Sequence, residues 1–193
     1  MSVLALLLPF AAAAPAVAGP AAAERSLLDA FKSACSRTGN DVEAMKSDAA
    51  ASGWAAMADD GDPRVGRLLK MGREAVDQES KSSAASFRRI LGGRDIFLIV
   101  SRYEDKSGYW GVGCRLYDFD APSHLSPNGL EAWMGRPPTG VQIPVPGLEK
   151  KLWEPGWSDG ITVEISYVPK DNPVGKTYGL SGNVLVAQAI GGF

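Results

Sequence analysis

Arg94-Asp-Ile-Phe-Leu-Ile-Val-Ser-Arg-Tyr103 is the stretch whose reading decides the fold. Its centre, Ile96-Phe97-Leu98-Ile99-Val100, is apolar at every position, so alternation assigns it no wet face. An apolar run of this length after Gly92-Gly93 reads as a central strand covered on both sides. Glu104-Asp105-Lys106-Ser107-Gly108 supplies a hairpin turn. The next strand then places Trp110, Val112, Cys114 and Leu116 on one face. Tyr109, Gly111, Gly113, Arg115 and Tyr117 fall on the other, because successive side chains of a strand point to opposite sides.

Working outward, residues 86–91 form a short strand before that centre. Upstream of it the period is helical. Ser26 opens a helix with Leu27, Leu28, Phe31, Ala34 and Cys35 on one face, Asp29 at the third position of a capping-box-like start, and Gly39 as its stop. Asn40 or Asp41 caps a second helix with Val42, Met45, Ala49 and Trp54 facing inward, ended by Gly53. Asp62 caps a third, with Pro63 in the first helical position and a stripe of Val65, Leu68, Leu69 and Val76. Downstream, Ser126 and Pro127 start a short helix that turns Leu130, Trp133 and Met134 inward and stops at Gly135. Residues 136–149 are rich in Pro and Gly and are expected to be extended, and 148–153 are read as a strand. Ile161, Val163, Ile165 and Tyr167 alternate with Thr162, Glu164 and Ser166, the pattern of a half-buried strand. Asp171-Asn172-Pro173 makes a turn, and 182–190 return as the last strand. The expectation is an α+β fold in which two or three N-terminal helices cover one face of a five- or six-stranded, mostly antiparallel sheet. One short helix near 126–134 is inserted.

The chain has 193 residues and a formal net charge of −2. Residues 1–23 carry no charged side chain, and Val3 to Ala14 form an apolar run followed by Ala16-Val17-Ala18 and Ala21-Ala22-Ala23. This is the pattern of a secretory signal cleaved after Ala18 or Ala23, although no Lys or Arg opens it. The competing reading is a membrane anchor, which Pro9, Pro15 and Gly19-Pro20 disfavour. Residues 24–193 then form a single domain, expected in the periplasm or secreted, with no integral span after signal removal. No Cys follows the apolar run, so the lipid-modified signal is absent. No basic block exceeds Arg88-Arg89 or Lys150-Lys151, which argues against nucleic acid. The terminal Phe193 suggests an outer-membrane barrel strand, but Ala187, Ala189 and Gly191 are poor lipid-facing residues and the first third is helical.

In an oxidising compartment Cys35 and Cys114 are expected to pair. The register that turns Cys114 to the apolar side supports this, and two separate buried thiols are the alternative. The single histidine, His124, lies in the loop Pro122-Ser123-His124-Leu125-Ser126-Pro127. There is no Gly-x-Ser-x-Gly elbow and no Ser-x-x-Lys pair, so a hydrolase would need a site assembled around His124 in space. One histidine and two cysteines leave no zinc pattern. Asp59-Asp60-Gly61-Asp62 clusters carboxylates but lacks the spacing of a calcium loop. No cofactor is expected. Trp153 and Trp157, beside Lys150 and Lys151, are candidates either for a binding surface or for plugs over the end of the sheet.

At Phe31-x-x-x-Cys35-x-x-Thr38, followed by Ala49 and Gly53-Trp54, the chain resembles uncharacterised exported bacterial proteins whose mature domain opens this way. The resemblance covers about 25 residues. It implies export and carries no activity to any residue. The reading is a non-catalytic periplasmic envelope binding or accessory protein, monomeric or weakly associating, whose partner is an envelope protein or a small ligand. The alternative is a small periplasmic hydrolase at His124.

Overall fold

Residues 19–39, 41–77 and 79–192 are described by the computed structural model. The apolar run up to Ala18 and the terminal Phe193 lie outside them. Helix α1 spans Pro20–Cys35 and begins earlier than Ser26, because Pro20 takes the first helical position and Ala21-Ala22-Ala23 are strong helix formers. Helix α2 spans Val42–Ala51 and is capped by Asp41, whose carboxylate accepts from the Ala44 N–H. Strand β1, Ala55–Met57, follows Gly53 and the buried Trp54. Helix α3, Pro63–Glu74, is capped by Asp62 as expected.

The sheet core is β2 (Lys81–Leu91), β3 (Arg94–Glu104) and β4 (Trp110–Asp118). Helix α4, Pro127–Met134, has the expected Ser126 cap and Gly135 terminator, the latter in the left-handed region at φ 74°. Strands β5 (Gly140–Val145), β6 (Leu148–Trp153) and β7 (Thr162–Val168) follow. Helix α5 (Pro173–Tyr178) and β8 (Gly182–Gly191) complete the chain.

The fold is α+β, and every strand pairing is antiparallel. The sheet is open and has eight strands in the order β1-β2-β3-β4-β8-β7-β6-β5, where five or six were expected. The two additions, β1 and β5, are its edges. Strand β1 has only three residues, and in β5 the alternation of Val141, Ile143 and Val145 is broken by Pro144 and leaves Val141 and Ile143 exposed; each edge strand is held by the unpaired backbone groups of its neighbour. Pro144 is tolerated in β5 because an edge strand has a side with no ladder to donate to. Strand β2 begins at Lys81 rather than 86, since Lys81 pairs with Glu104 in an unbroken hairpin register that the polar segment 81–85 does not advertise. Helix α5 replaces part of the expected turn.

The helices do not all cover one face. Helices α1, α2 and α4 lie over the face carrying Leu98, Val100, Cys114, Leu116, Val163 and Leu185, which join Phe31, Met45 and Leu130 in one core. Helix α3 lies on the opposite face, where Val65 and Leu69 meet Phe97, Ile99, Tyr117, Phe119 and Val184. That is why the 96–100 run has no polar position: β3 is covered from both sides. Cys35 and Cys114 form a disulfide with a Cα–Cα distance of 5.7 Å, tying α1 to the middle of the sheet.

Candidate functional site

The face under α3 is unequally covered. Strand register sets its side chains in rows across β3, β4 and β8. The row Phe97–Tyr117–Val184 is bulky and lies beneath α3. The next, Ile99–Arg115–Val186, is mixed. Beyond it come Ser101–Gly113–Gln188 and Tyr103–Gly111–Ile190, where β4 contributes no side chain. The floor therefore sinks as it leaves the helix. Between this floor and the C-terminal part of α3, at Leu68 and Gly72, with Val76 just past the helix end, lies a groove of about 490 Å³. That volume is within the range of small-molecule sites.

Helix α3 is fixed firmly at its other end. Arg64 donates to Asp62 and to Asp120, the latter at 3.0 Å, and its guanidinium lies over the Phe119 ring at 4.6 Å and over Phe97 at 5.4 Å. Arg67 donates to the Thr177 carbonyl at 2.6 Å. Burial raises the Asp62 carboxyl pKa, but hydrogen bonds from the Arg64 side chain and from the backbone N–H groups of Arg64 and Val65 outweigh it, leaving the group below the ordinary range. The groove thus has one wall that is bolted to the sheet at its N-terminal end.

Arg115 is the polar centre of the groove. Its side chain folds back over Gly113, where a Cβ would lie 2.7 Å from the guanidinium carbon. Glycine at 113 is what allows the guanidinium to lie down on the sheet. There Nη1 donates to the Ser101 hydroxyl at 2.9 Å. Gln188, across β4 from Ser101, donates to Glu164 at 3.2 Å, and Glu164 is held by Lys150 at 2.7 Å. No Asp or Glu borders the groove. Burial pushes the Tyr117 phenol up, opposed by the Arg115 charge, so Tyr117 stays neutral and leaves that charge uncompensated.

A second hollow of about 360 Å³ opens on the other face, at the edge of α4. Its lining includes His124, Glu149, Lys151 and Tyr167. His124 is exposed; its Nδ1 lies 3.0 Å from the Leu125 carbonyl, and its ring stands edge-on to Tyr167 at 6.3 Å. Among the described residues no serine or cysteine hydrogen-bonds the imidazole. Ser126 instead accepts from the Gly129 N–H as the cap of α4.

The tryptophans and lysines singled out in the sequence do not converge. Trp153 is fully buried and its indole N–H donates to the Arg136 carbonyl at 3.1 Å. Trp157 is half-buried, 5.5 Å from Phe31 and 6.3 Å from Trp133 in an aromatic cluster over the end of the sheet. Lys151 reaches the α4 hollow and pairs with Glu149, whereas Lys150 points to the opposite face. Two of the three carboxylates of the 59–62 loop are engaged by cations: Asp59 by Arg73 at 2.8 Å and Asp62 by Arg64. Among the described residues no cluster of three or more His, Cys, Asp or Glu could hold a metal ion. No helix among them is long and apolar enough to cross a membrane.

The groove residues were not singled out from the sequence. Their signal was the alternation Gly111-x-Gly113-x-Arg115, since glycine inside a strand marks a place where something approaches the backbone closely. No family model, no curated protein and no solved structure matches the chain.

Proposed function

We propose that this chain is a non-catalytic binding protein of the bacterial envelope, periplasmic or secreted, that holds a small ligand in the groove beside α3. The observation that carries the reading is the groove itself: a largely apolar concavity, deepened at Gly111 and Gly113, with a few polar groups centred on Arg115, the usual make-up of a ligand site. The Cys35–Cys114 disulfide supports the compartment, since such bonds persist where thiols are oxidised.

A neutral fluorescent probe, N-phenyl-1-naphthylamine, tests it. Saturable fluorescence enhancement is expected with the wild type and none with Gly111→Phe. The Gly111 site can accept a side chain, because a Cβ there meets only the Ile190 Cγ2 methyl at an ordinary 3.7 Å. Equal binding by the folded variant, or none by the wild type, would remove the reading.

A second reading, a small hydrolase, is favoured by one observation: His124 shares its hollow with Glu149, Lys151 and Tyr167. His124→Ala should abolish any hydrolysis the wild type performs, and retention of that activity would dispose of it.

A further inference from the structure

We propose that the ligand of the groove is an amphipathic carboxylate whose head is bound by Arg115 and whose apolar body lies along the floor beside α3. This deepens the binding reading above and rests on it.

The argument begins from what arginines do elsewhere in the chain. Arg25, Arg37, Arg64, Arg73, Arg88, Arg94 and Arg102 each meet a carboxylate. Arg67, Arg89 and Arg136 donate to backbone carbonyls. Arg115 is the one arginine among the described residues that meets neither; its partner is the neutral Ser101 hydroxyl. A half-buried cation without a counter-charge is costly, and a bound anion relieves that cost. The site is also prepared for a planar acceptor. Ser101 fixes one edge of the guanidinium, and the remaining N–H donors form the fork that matches a carboxylate. Gly113 beneath it removes the side chain that would lift it off the sheet.

Much of the remaining lining is apolar. Leu68 and Val76 stand along the α3 wall, and Ile190, 55% exposed on the outer side, is an apolar side chain that a ligand tail would cover. Arg73 and Arg102 also line the groove, but Asp59 and Glu104 neutralise them, so Arg115 is the one lining cation that meets no carboxylate. One uncompensated cation in a mostly apolar concavity selects a singly charged head on an apolar body. A polyanion would leave charge unmatched, and a cation would be repelled.

The test is displacement of N-phenyl-1-naphthylamine by decanoate, decanol and decylamine, which share a chain and differ in head charge. Decanoate is expected to displace the probe at concentrations about tenfold or more below decanol, with decylamine the weakest, because charge-assisted hydrogen bonds exceed neutral ones. Arg115→Gln should bring decanoate and decanol to within about twofold of one another. Arg88→Gln, which removes a cation held by Asp95 on the same face, should leave the wild-type ratio unchanged. A wild-type ratio near one with the probe still bound would overturn the carboxylate inference and leave the binding reading standing. So would an Arg88→Gln variant that loses the ratio as fully as Arg115→Gln. A wild type that binds no probe at all would remove both.

Discussion

The two faces of this sheet are made by the same strands and finished differently. On one, the central rows across β3, β4, β8 and β7 are apolar, three helices cover it, and a disulfide fastens the cover. On the other, α3 covers the rows nearest Phe97 and Tyr117, and past its last turn β4 contributes only Gly113 and Gly111 to the rows. The closed face is packed along its length, and the open one leaves part of its floor uncovered. The comparison teaches that the difference is written in alternate residues of one strand: Trp110, Val112, Cys114 and Leu116 against Gly111, Gly113, Arg115 and Tyr117.

The sharpest break in the comparison should come from the closed face. Phe31 has no exposed surface and sits between Trp133 and Trp157, so Phe31→Ala opens a cavity that the aromatic cluster cannot refill. A loss of about 3–5 kcal/mol is expected in denaturant unfolding. Removing the staple with Cys35→Ala and Cys114→Ala together should cost about 2–4 kcal/mol, since the bond closes a loop with a sequence separation of 79. If the double variant unfolded at the wild-type midpoint, the disulfide would contribute nothing to holding α1 on the sheet.

How much of this was legible follows from which signals are local. The hairpin of β3 and β4, the direction of Cys114, and the caps at Asp62 and Ser126 are decided by neighbours in sequence, and each could be read. Strand β1, three residues long, could not; β5 lay in the segment 136–149 expected to be extended, but its pairing with β6 was hidden by the Pro- and Gly-rich composition. The placement of α3 was also hidden. Both faces of the 96–100 run are apolar, so nothing in β3 says which helix takes which side. Glycines 111 and 113 were visible on one face, but they became a groove only because α3 stops at Glu74 and leaves them uncovered. Trp153 and Trp157 stood out by residue type, yet the structure uses both over the closed face.

The open face should respond more mildly, beginning with the wall of its groove. Asp62→Ala removes the cap of α3 and the partner of Arg64, an expected loss of about 1–2 kcal/mol. Asp62→Asn keeps the cap and removes the charge, which isolates the electrostatic part. Because the folded Asp62 carboxyl titrates below its ordinary range, its charge stabilises above the unfolded carboxyl pKa of about 3.9 and ceases to do so as pH falls through the lower folded value. The gap between wild type and Asp62→Asn should therefore narrow on acidification below about pH 4. A gap that stayed constant into strong acid would show that Arg64 holds α3 without needing the carboxylate.

The smallest stability change is expected at the centre of the groove. If the open face were merely an unfinished copy of the closed one, Arg115 would be structural, and Arg115→Gln would cost as much as breaking any half-buried ion pair. It has no ion pair to break. Truncating it removes one hydrogen bond to Ser101 and also removes the desolvation of an uncompensated cation, two effects of opposite sign. Urea midpoints of Arg115→Gln and wild type should agree to within about 0.5 kcal/mol, with the variant equal or slightly more stable. A loss of about 2 kcal/mol or more would make Arg115 part of the scaffold and erase the distinction between the two faces. Near-neutral stability is instead the mark of a residue kept for an occupant, since a site poised for a ligand carries a strain that the empty fold would be better without.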